Sequence, residues 1–232
     1  MITEDKMLIG LVDADLLNGG TRHPNLVLLK LAGYLMDNQI PFHLITDEDE
    51  DVSQYTIIYI SKVFSFTPDP MFYRKAKGTI NERKFKVGGT GEYAIEKNIK
   101  NFKNYRRYDM NKLENDEFLC KFQNRRGGDK IYGIDMRRQM PYYHLYDKYV
   151  QTKINEGRSK TYFDDYLHYS IGFLTRGCIR HCPFCVNKLE NEVYPYSELE
   201  WFLDEERDEK GHLVRPYIYL WDFSIHVYYP II

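Results

Sequence analysis

Met7-Leu8-Ile9-Gly10-Leu11-Val12, running into the polar, glycine-containing stretch Asp13 to Thr21, sets the reading of the first hundred residues. A short unbroken apolar run is the pattern of a strand buried on both faces, as in a parallel sheet covered by helices. Downstream, Pro24 suits the first turn of a helix. From Leu26 to Met36, apolar residues fall at 26, 27, 28, 29, 31, 32, 35 and 36. That is nearly all round, as for a helix pressed between a sheet and other elements, and Asn38 is a stop signal. Ile40 to Ile45 predicts a second strand, closed by the acidic run Asp47 to Asp51. Thr56-Ile57-Ile58-Tyr59-Ile60 predicts a third, and Lys84 to Val87 a fourth that runs into Gly88-Gly89-Thr90-Gly91. Strands alternating with helical pattern argue for an α/β fold with a parallel sheet.

The chain has 232 residues, enough for one large core or for one domain and part of another. Hydrophobic residues make up 43% and charged residues 28%, the composition of an ordinary globular protein and not of a disordered one. The net charge of −2 supplies no global attraction to nucleic acid or to an anionic membrane. No uninterrupted apolar stretch approaches the roughly 18 residues of a membrane span. The start, Met1-Ile2-Thr3-Glu4-Asp5-Lys6, lacks the basic opening and apolar run of a signal peptide. A cytoplasmic, reducing location is therefore the expectation.

Beyond residue 95 the sequence is rich in Lys, Arg, Asn and Tyr, with Gly127-Gly128 as a break and one helix expected from Leu145 to Asn155. Three segments follow from this pattern: 1–100 as the α/β domain, 101–165 as a linking, partly helical segment, and 166–232 as a second ordered part. Within the last, Tyr169-Ser170-Ile171-Gly172-Phe173-Leu174 predicts a strand leading into a cysteine loop. Ser197-Glu198-Leu199-Glu200 reads as a capping box, predicting a helix from Ser197 to about Asp208 with Gly211 as its stop. Tyr217-Ile218-Tyr219-Leu220 predicts the strand that completes a βαβ unit.

The chain has four cysteines: Cys120, Cys178, Cys182 and Cys185. Three of them fall in Gly177-Cys178-Ile179-Arg180-His181-Cys182-Pro183-Phe184-Cys185, a C-x3-C-x2-C spacing. Clustered thiols in a reducing compartment point to metal and away from disulfides. Thiolates are soft ligands suited to iron–sulfur clusters and to zinc. Three cysteines on one short loop can hold a four-iron cubane by three corners and leave one iron open to a substrate or cofactor, whereas structural metal sites fill every position. The alternatives at this stage are a zinc knuckle completed by Cys120, His181 or His212, and three unrelated buried cysteines. Zinc knuckles normally come in pairs of C-x2-4-C, and the two such spacings here share Cys182, so they make only one knuckle.

This loop, with the aromatic Phe184 before the third cysteine and the lead-in Thr175-Arg176-Gly177 after a strand, resembles that of the radical S-adenosylmethionine (radical SAM) superfamily. The resemblance implies a 4Fe–4S cluster on Cys178, Cys182 and Cys185. It implies chelation of the fourth iron by the methionine part of S-adenosylmethionine. It also implies one-electron cleavage to a 5′-deoxyadenosyl radical that abstracts hydrogen from a substrate. It places Phe184 near the adenine and Asp222, at the end of the next strand, near the cofactor's amino-acid end. The implied electron donor is a ferredoxin or flavodoxin. The first hundred residues are similar in element order to the Rossmann-like, cobalamin-binding-like domain that precedes the radical SAM core in a large subgroup. The Asp-x-His-x-x-Gly signature that supplies an axial histidine in some such domains is absent from this chain. A substrate or scaffold role therefore fits the domain as well as cobalamin does.

In that family the core is a partial (β/α) barrel of about six units, at roughly 30 residues per βαβ step. The 64 residues from Tyr169 to Ile232 hold about two strands and one helix. The expectation is a C-terminally truncated member carrying the start of the barrel, its chemistry lost or restored by a protein partner. A non-enzymatic Rossmann-like binding module, its cysteine loop vestigial or filled with zinc, is the alternative. Other motifs add little. Gly88-Gly89-Thr90-Gly91 lacks the lysine and spacing of a P-loop and reads as a tight turn. Lys97, Lys100, Lys103, Arg106 and Arg107 alternate with Phe102, Tyr105 and Tyr108, a pattern able to grip single-stranded RNA. Without net positive charge, a nucleic-acid partner is not expected. No Ser/His/Asp order suggests hydrolase chemistry.

Overall fold

A computed structural model describes residues 7–89, 91, 130–131, 134–178 and 193–221. The chain divides into two compact units, Met1–Glu96 with Pro141–Leu167, and Lys97–Met140 with His168–Ile232. Among the described residues, no helix is long and apolar enough to cross a membrane.

The first unit is built on a four-stranded parallel sheet. Strands β1 (Ile9–Asp13), β2 (Phe42–Ile45), β3 (Ile57–Ser61) and β4 (Phe85–Gly88) lie in the order β2-β1-β3-β4. This is the α/β, Rossmann-like architecture expected from the alternating pattern. All five residues of β1 are buried, as the unbroken apolar run requires of a central strand. Its register sets Ile9 beside Phe42 on one side and Ile57 on the other. Helix α2 (Leu26–Asp37) is buried nearly all round, with only Val27, Met36 and Asp37 exposed. Asn25 starts it, its side chain accepting the Leu28 N–H at 3.3 Å, and Asn38 ends it. Pro24 thus lies just before the cap and outside the first turn.

The stretch after β1 is not wholly a loop. Asp13, the last residue of the strand, caps a single helical turn, α1 (Ala14–Leu17), by accepting the Leu16 N–H at 3.2 Å. A strand residue with a short acidic side chain serves both elements at once, which an apolar-run reading does not separate. Helix α3 (Met71–Ala76) packs Phe72 and Tyr73 against Phe85 of β4. The glycine-rich turn after β4 is a close-packing device. A Cβ on Gly89 would stand 2.2 Å from the Lys62 carbonyl oxygen, and one on Gly91 2.5 Å from that of Phe64. The Gly91 N–H donates to the Lys62 carbonyl at 3.0 Å. Backbone meets backbone there, and only glycine permits it.

Residues 141–167 belong to this same unit. A 3-10 turn (Tyr143–Tyr146) leads into helix α4 (Asp147–Asn155), close to the expected helix, and the Tyr142 N–H donates to the Leu29 carbonyl of α2 at 2.8 Å. The short helix α5 (Asp164–Leu167) closes the segment.

Among its described residues the second unit contains three two-stranded pairs. Strand β5 (Lys130–Ile131) is antiparallel to β6 (Ile134–Asp135), and β8 (Thr175–Arg176) to β9 (Tyr194–Pro195). Strand β7 (Tyr169–Gly172) is parallel to β10 (Tyr217–Leu220), in register Tyr169 to Tyr217 through Gly172 to Leu220. The parallel pairing agrees with the expected strand–connection–strand unit. The capping-box helix does not form. Only a 3-10 turn, Leu199–Trp201, follows Ser197. The Ser197 hydroxyl donates to the Arg137 carbonyl at 2.6 Å, and no side-chain cap closes that turn. Beyond it Phe202 leaves helical backbone at φ −152° and ψ −1° and buries its ring completely. Asp204 accepts the Glu206 N–H and pairs with buried Arg215 at 2.6 Å, while Arg207 and Leu213 bridge around Gly211. Burying one phenylalanine and neutralising one buried arginine outweigh the few tenths of a kcal/mol per residue that helix propensity offers.

Candidate functional site

Among the described residues, each unit has a place where residues of the expected chemistry or buried polar groups gather. In the second unit it is the base of the cysteine loop. Strand β7 ends at Gly172, and Cys178 follows after β8, buried at 7% exposure. The β8–β9 pair clasps the loop at its neck, Arg176 opposite Tyr194 and Thr175 opposite Pro195, and the Tyr196 N–H donates to the Leu174 carbonyl at 2.8 Å. The Arg176 guanidinium lies over the rings of Phe173, at 4.2 Å, and Tyr196, at 5.0 Å. A cation over two aromatic faces ties the two sides of the neck together.

Under the neck, Gly172 touches Phe202. A Cβ at 172 would fall 2.3 to 2.5 Å from three atoms of that ring. The Gly172 carbonyl accepts the Trp221 N–H at 3.0 Å, and the fully buried Ser170 hydroxyl accepts the Asp204 N–H at 2.9 Å. Cys182, Phe184, Cys185 and Asp222 lie outside the described residues, as do Cys120, His181 and the basic, aromatic stretch from Lys97 to Tyr108. His212 sits in an exposed turn, its N–H donating to Asp208 at 2.9 Å. Among the described residues, no group of three or more His, Cys, Asp or Glu side chains is placed to hold a metal. What the structure shows of the expected ligand set is the first thiol, sheltered and set at the mouth of a clasped loop.

In the first unit, polar side chains gather at the carboxyl ends of β1 and β3, where the order of the strands reverses and ligands bind in open α/β sheets. Asp13 ends β1 and Ser61 ends β3. The Tyr146 hydroxyl donates to Asp13 at 3.0 Å and accepts the Asn25 N–H at 3.2 Å, while the Asn25 amide donates to Ser61 at 2.9 Å. All four residues are buried, Tyr146 to 1% exposure. The ring of Tyr166 meets that of Tyr146 edge-on at 5.2 Å, and its hydroxyl bonds Thr21 at 2.7 Å.

Burial pushes the Asp13 carboxyl up to about 7, helped by the charge of Asp15 and opposed by the hydrogen bonds from Leu16 and Tyr146. Burial, with Asp13 beside it, holds the Tyr146 hydroxyl well above the ordinary tyrosine value. Asp15 next to it is a fastening. It accepts the Val63 N–H at 2.7 Å and the Thr67 hydroxyl, fixing the loop after β3. Tyr146 thus plugs the crevice that the topology opens.

No family model matches the chain, and neither a curated protein nor a solved structure matches it.

Proposed function

We propose that this chain is a radical SAM protein in which Cys178, Cys182 and Cys185 hold a 4Fe–4S cluster that binds S-adenosylmethionine. The observation that carries the reading is the C-x3-C-x2-C spacing itself, set immediately after a strand. Three features support it: the parallel pairing of β7 with β10, the shelter of Cys178, and the clasp that fixes the ends of the loop. A buried thiol in a reducing environment suits a soft, thiolate-bound group. The bound cluster would supply one-electron cleavage of the sulfonium, fed by a low-potential donor such as a ferredoxin or flavodoxin. The chain's own part is to present the thiols and to hold the loop's neck closed. Phe184 would lie along the adenine and Asp222 near the amino-acid end. A partial barrel continuing from β7 and β10, completed by a protein partner, belongs to the same proposal. The missing Asp-x-His-x-x-Gly signature argues against a cobalamin with an axial histidine.

Anaerobic reconstitution tests the proposal. The expected product holds about four irons and as many sulfides per chain, with reducible charge-transfer absorption. The triple variant Cys178→Ala/Cys182→Ala/Cys185→Ala should lose all of it. Zinc bound without acid-labile sulfide, or iron retained by the triple variant, would overturn the reading.

A further inference from the structure

With the β1/β3 crevice plugged, the first unit keeps another opening. A cavity of about 570 Å³ lies beside the loop after β1, at Leu16 to Gly20, and reaches Thr46 directly after β2. Its opposite wall is Tyr149 and the end of α4. The volume is in the range of small-molecule sites, and the place is again the carboxyl edge of a parallel sheet.

The end of α4 is shaped for it. The Gly157 N–H donates to the Ile154 carbonyl at 2.9 Å and the Arg158 N–H to that of Lys153, also at 2.9 Å. This is the paired closure of a Schellman motif, with Gly157 at φ +95° in the left-handed region. The motif turns the chain so that Lys153, Glu156 and Arg158 share one wall.

The charge there is unbalanced. The Arg158 guanidinium lies 4.7 Å from the centre of the Tyr162 ring, and Arg22 lies 6.0 Å from the same centre. The two cations are no farther apart than the sum of those distances, and neither has a carboxylate partner among the described residues. Lys153 adds a third cation, paired with Glu156 at 2.7 Å. The negative end of the α4 dipole offsets about half a charge. In the wall itself Lys153, Glu156 and Arg158 leave one net positive charge, and Arg22, beside the wall on the far side of the 6.0 Å contact with Tyr162, adds a second. Two guanidiniums gathered on one ring without a counter-ion repel each other, and a dianion accepting from both forks relieves this. The cavity is far larger than a bare phosphate, so the anion should carry an organic body.

We propose that this cavity binds a small organic phosphate, its phosphate on Arg158 of the wall with Arg22 reaching in from beside it, and its body between the loop after β1 and Tyr149. The inference is independent of the cysteine loop.

Calorimetric titration of the full chain with ribose 5-phosphate, AMP, inorganic phosphate and adenosine tests it. Saturable one-to-one binding of ribose 5-phosphate or AMP is expected, at least about ten-fold tighter than of inorganic phosphate or adenosine. Arg22→Gln/Arg158→Gln should weaken it by at least about ten-fold, as loss of charge-assisted hydrogen bonds does. Thr46→Trp, at an exposed position, should also weaken it by occupying the cavity. Both changes are at the surface, so an unaltered circular dichroism spectrum is expected alongside the loss. The proposal fails if neither organic phosphate binds at millimolar concentration. It fails if inorganic phosphate or adenosine binds as tightly, or if both variants bind as the parent does.

Discussion

Gly172→Ala is expected to destabilise the second unit by about 3 kcal/mol, the upper end of what added bulk costs in a packed interior. The reason is local. The new methyl would stand 2.3 to 2.5 Å from three ring atoms of Phe202, and that ring is completely buried, so it has no space to retreat into. Phe202→Ala alone should cost about 3–5 kcal/mol through the cavity it leaves. The double variant should cost much less than the sum, because the smaller residue at 202 makes room for the methyl at 172. Both tryptophans of the chain, Trp201 and Trp221, belong to this unit. Their fluorescence during urea unfolding therefore reports the right transition. Trp201 adjoins Phe202, and the Trp221 N–H is bonded to the Gly172 carbonyl. Strict additivity of the two changes would show that Gly172 and Phe202 do not press on each other. Because Cys178 lies six residues after Gly172, across the neck that β8 closes, Gly172→Ala should also lower iron content after reconstitution, and Gly172→Ala/Phe202→Ala should recover part of it.

The longer strands were legible because each is a short apolar or aromatic run that depends only on local sequence, buried throughout in Ile9–Asp13 but largely exposed in Tyr217–Leu220. Ile9–Asp13, Phe42–Ile45, Ile57–Ser61, Phe85–Gly88 and Tyr217–Leu220 all fall within two residues of where the pattern puts them. Helix α2 was legible for the same reason, with Asn38 at its stop. The capping box at Ser197 failed because its partners are distant. Arg137 takes the hydroxyl bond, and Gly172 receives the ring of Phe202. Neither can be inferred from four adjacent residues.

The polar network in the first unit was hidden by the same kind of distance. Asp13 reads as the start of a loop, and Tyr146 as one tyrosine among 21. They stand 133 positions apart in the chain, yet the Tyr146 hydroxyl donates to Asp13 at 3.0 Å. The partial signal was an acidic residue at the end of a central strand, where α/β sheets place functional groups. The thiol spacing, by contrast, is wholly local. A ligand set proposed from one short loop can be read in sequence, while a network assembled from three or four elements cannot.

The network should give the first unit an unusual response to pH. In the folded chain burial pushes the Asp13 carboxyl up to about 7, against 3.8 once it is unfolded. Between those values the folded protein holds a proton that the unfolded chain has released. Folding then takes up a proton, so stability falls as the pH rises from about 4 to about 7 and levels off above that. At about 1.4 kcal/mol per pH unit, the full span is worth roughly 4 kcal/mol. Most surface carboxylates act in the opposite sense, gaining partners in the folded state and stabilising it as pH rises. Asp13→Asn removes the titration while keeping a side chain of the same shape. Its carbonyl oxygen can accept from Leu16, and its amide can donate to the Tyr146 oxygen. The variant should therefore lose the decline between pH 4 and 7 and exceed the parent by several kcal/mol at pH 8. At pH 4, where the parent's carboxyl is neutral in the folded state, the two should differ little. Urea unfolding followed by circular dichroism at pH 4, 6 and 8 makes the comparison. A parent and a variant whose stabilities change in parallel with pH would mean that Asp13 is ionised in the folded chain. Its burial against Tyr146 would then have to be compensated by something other than a proton.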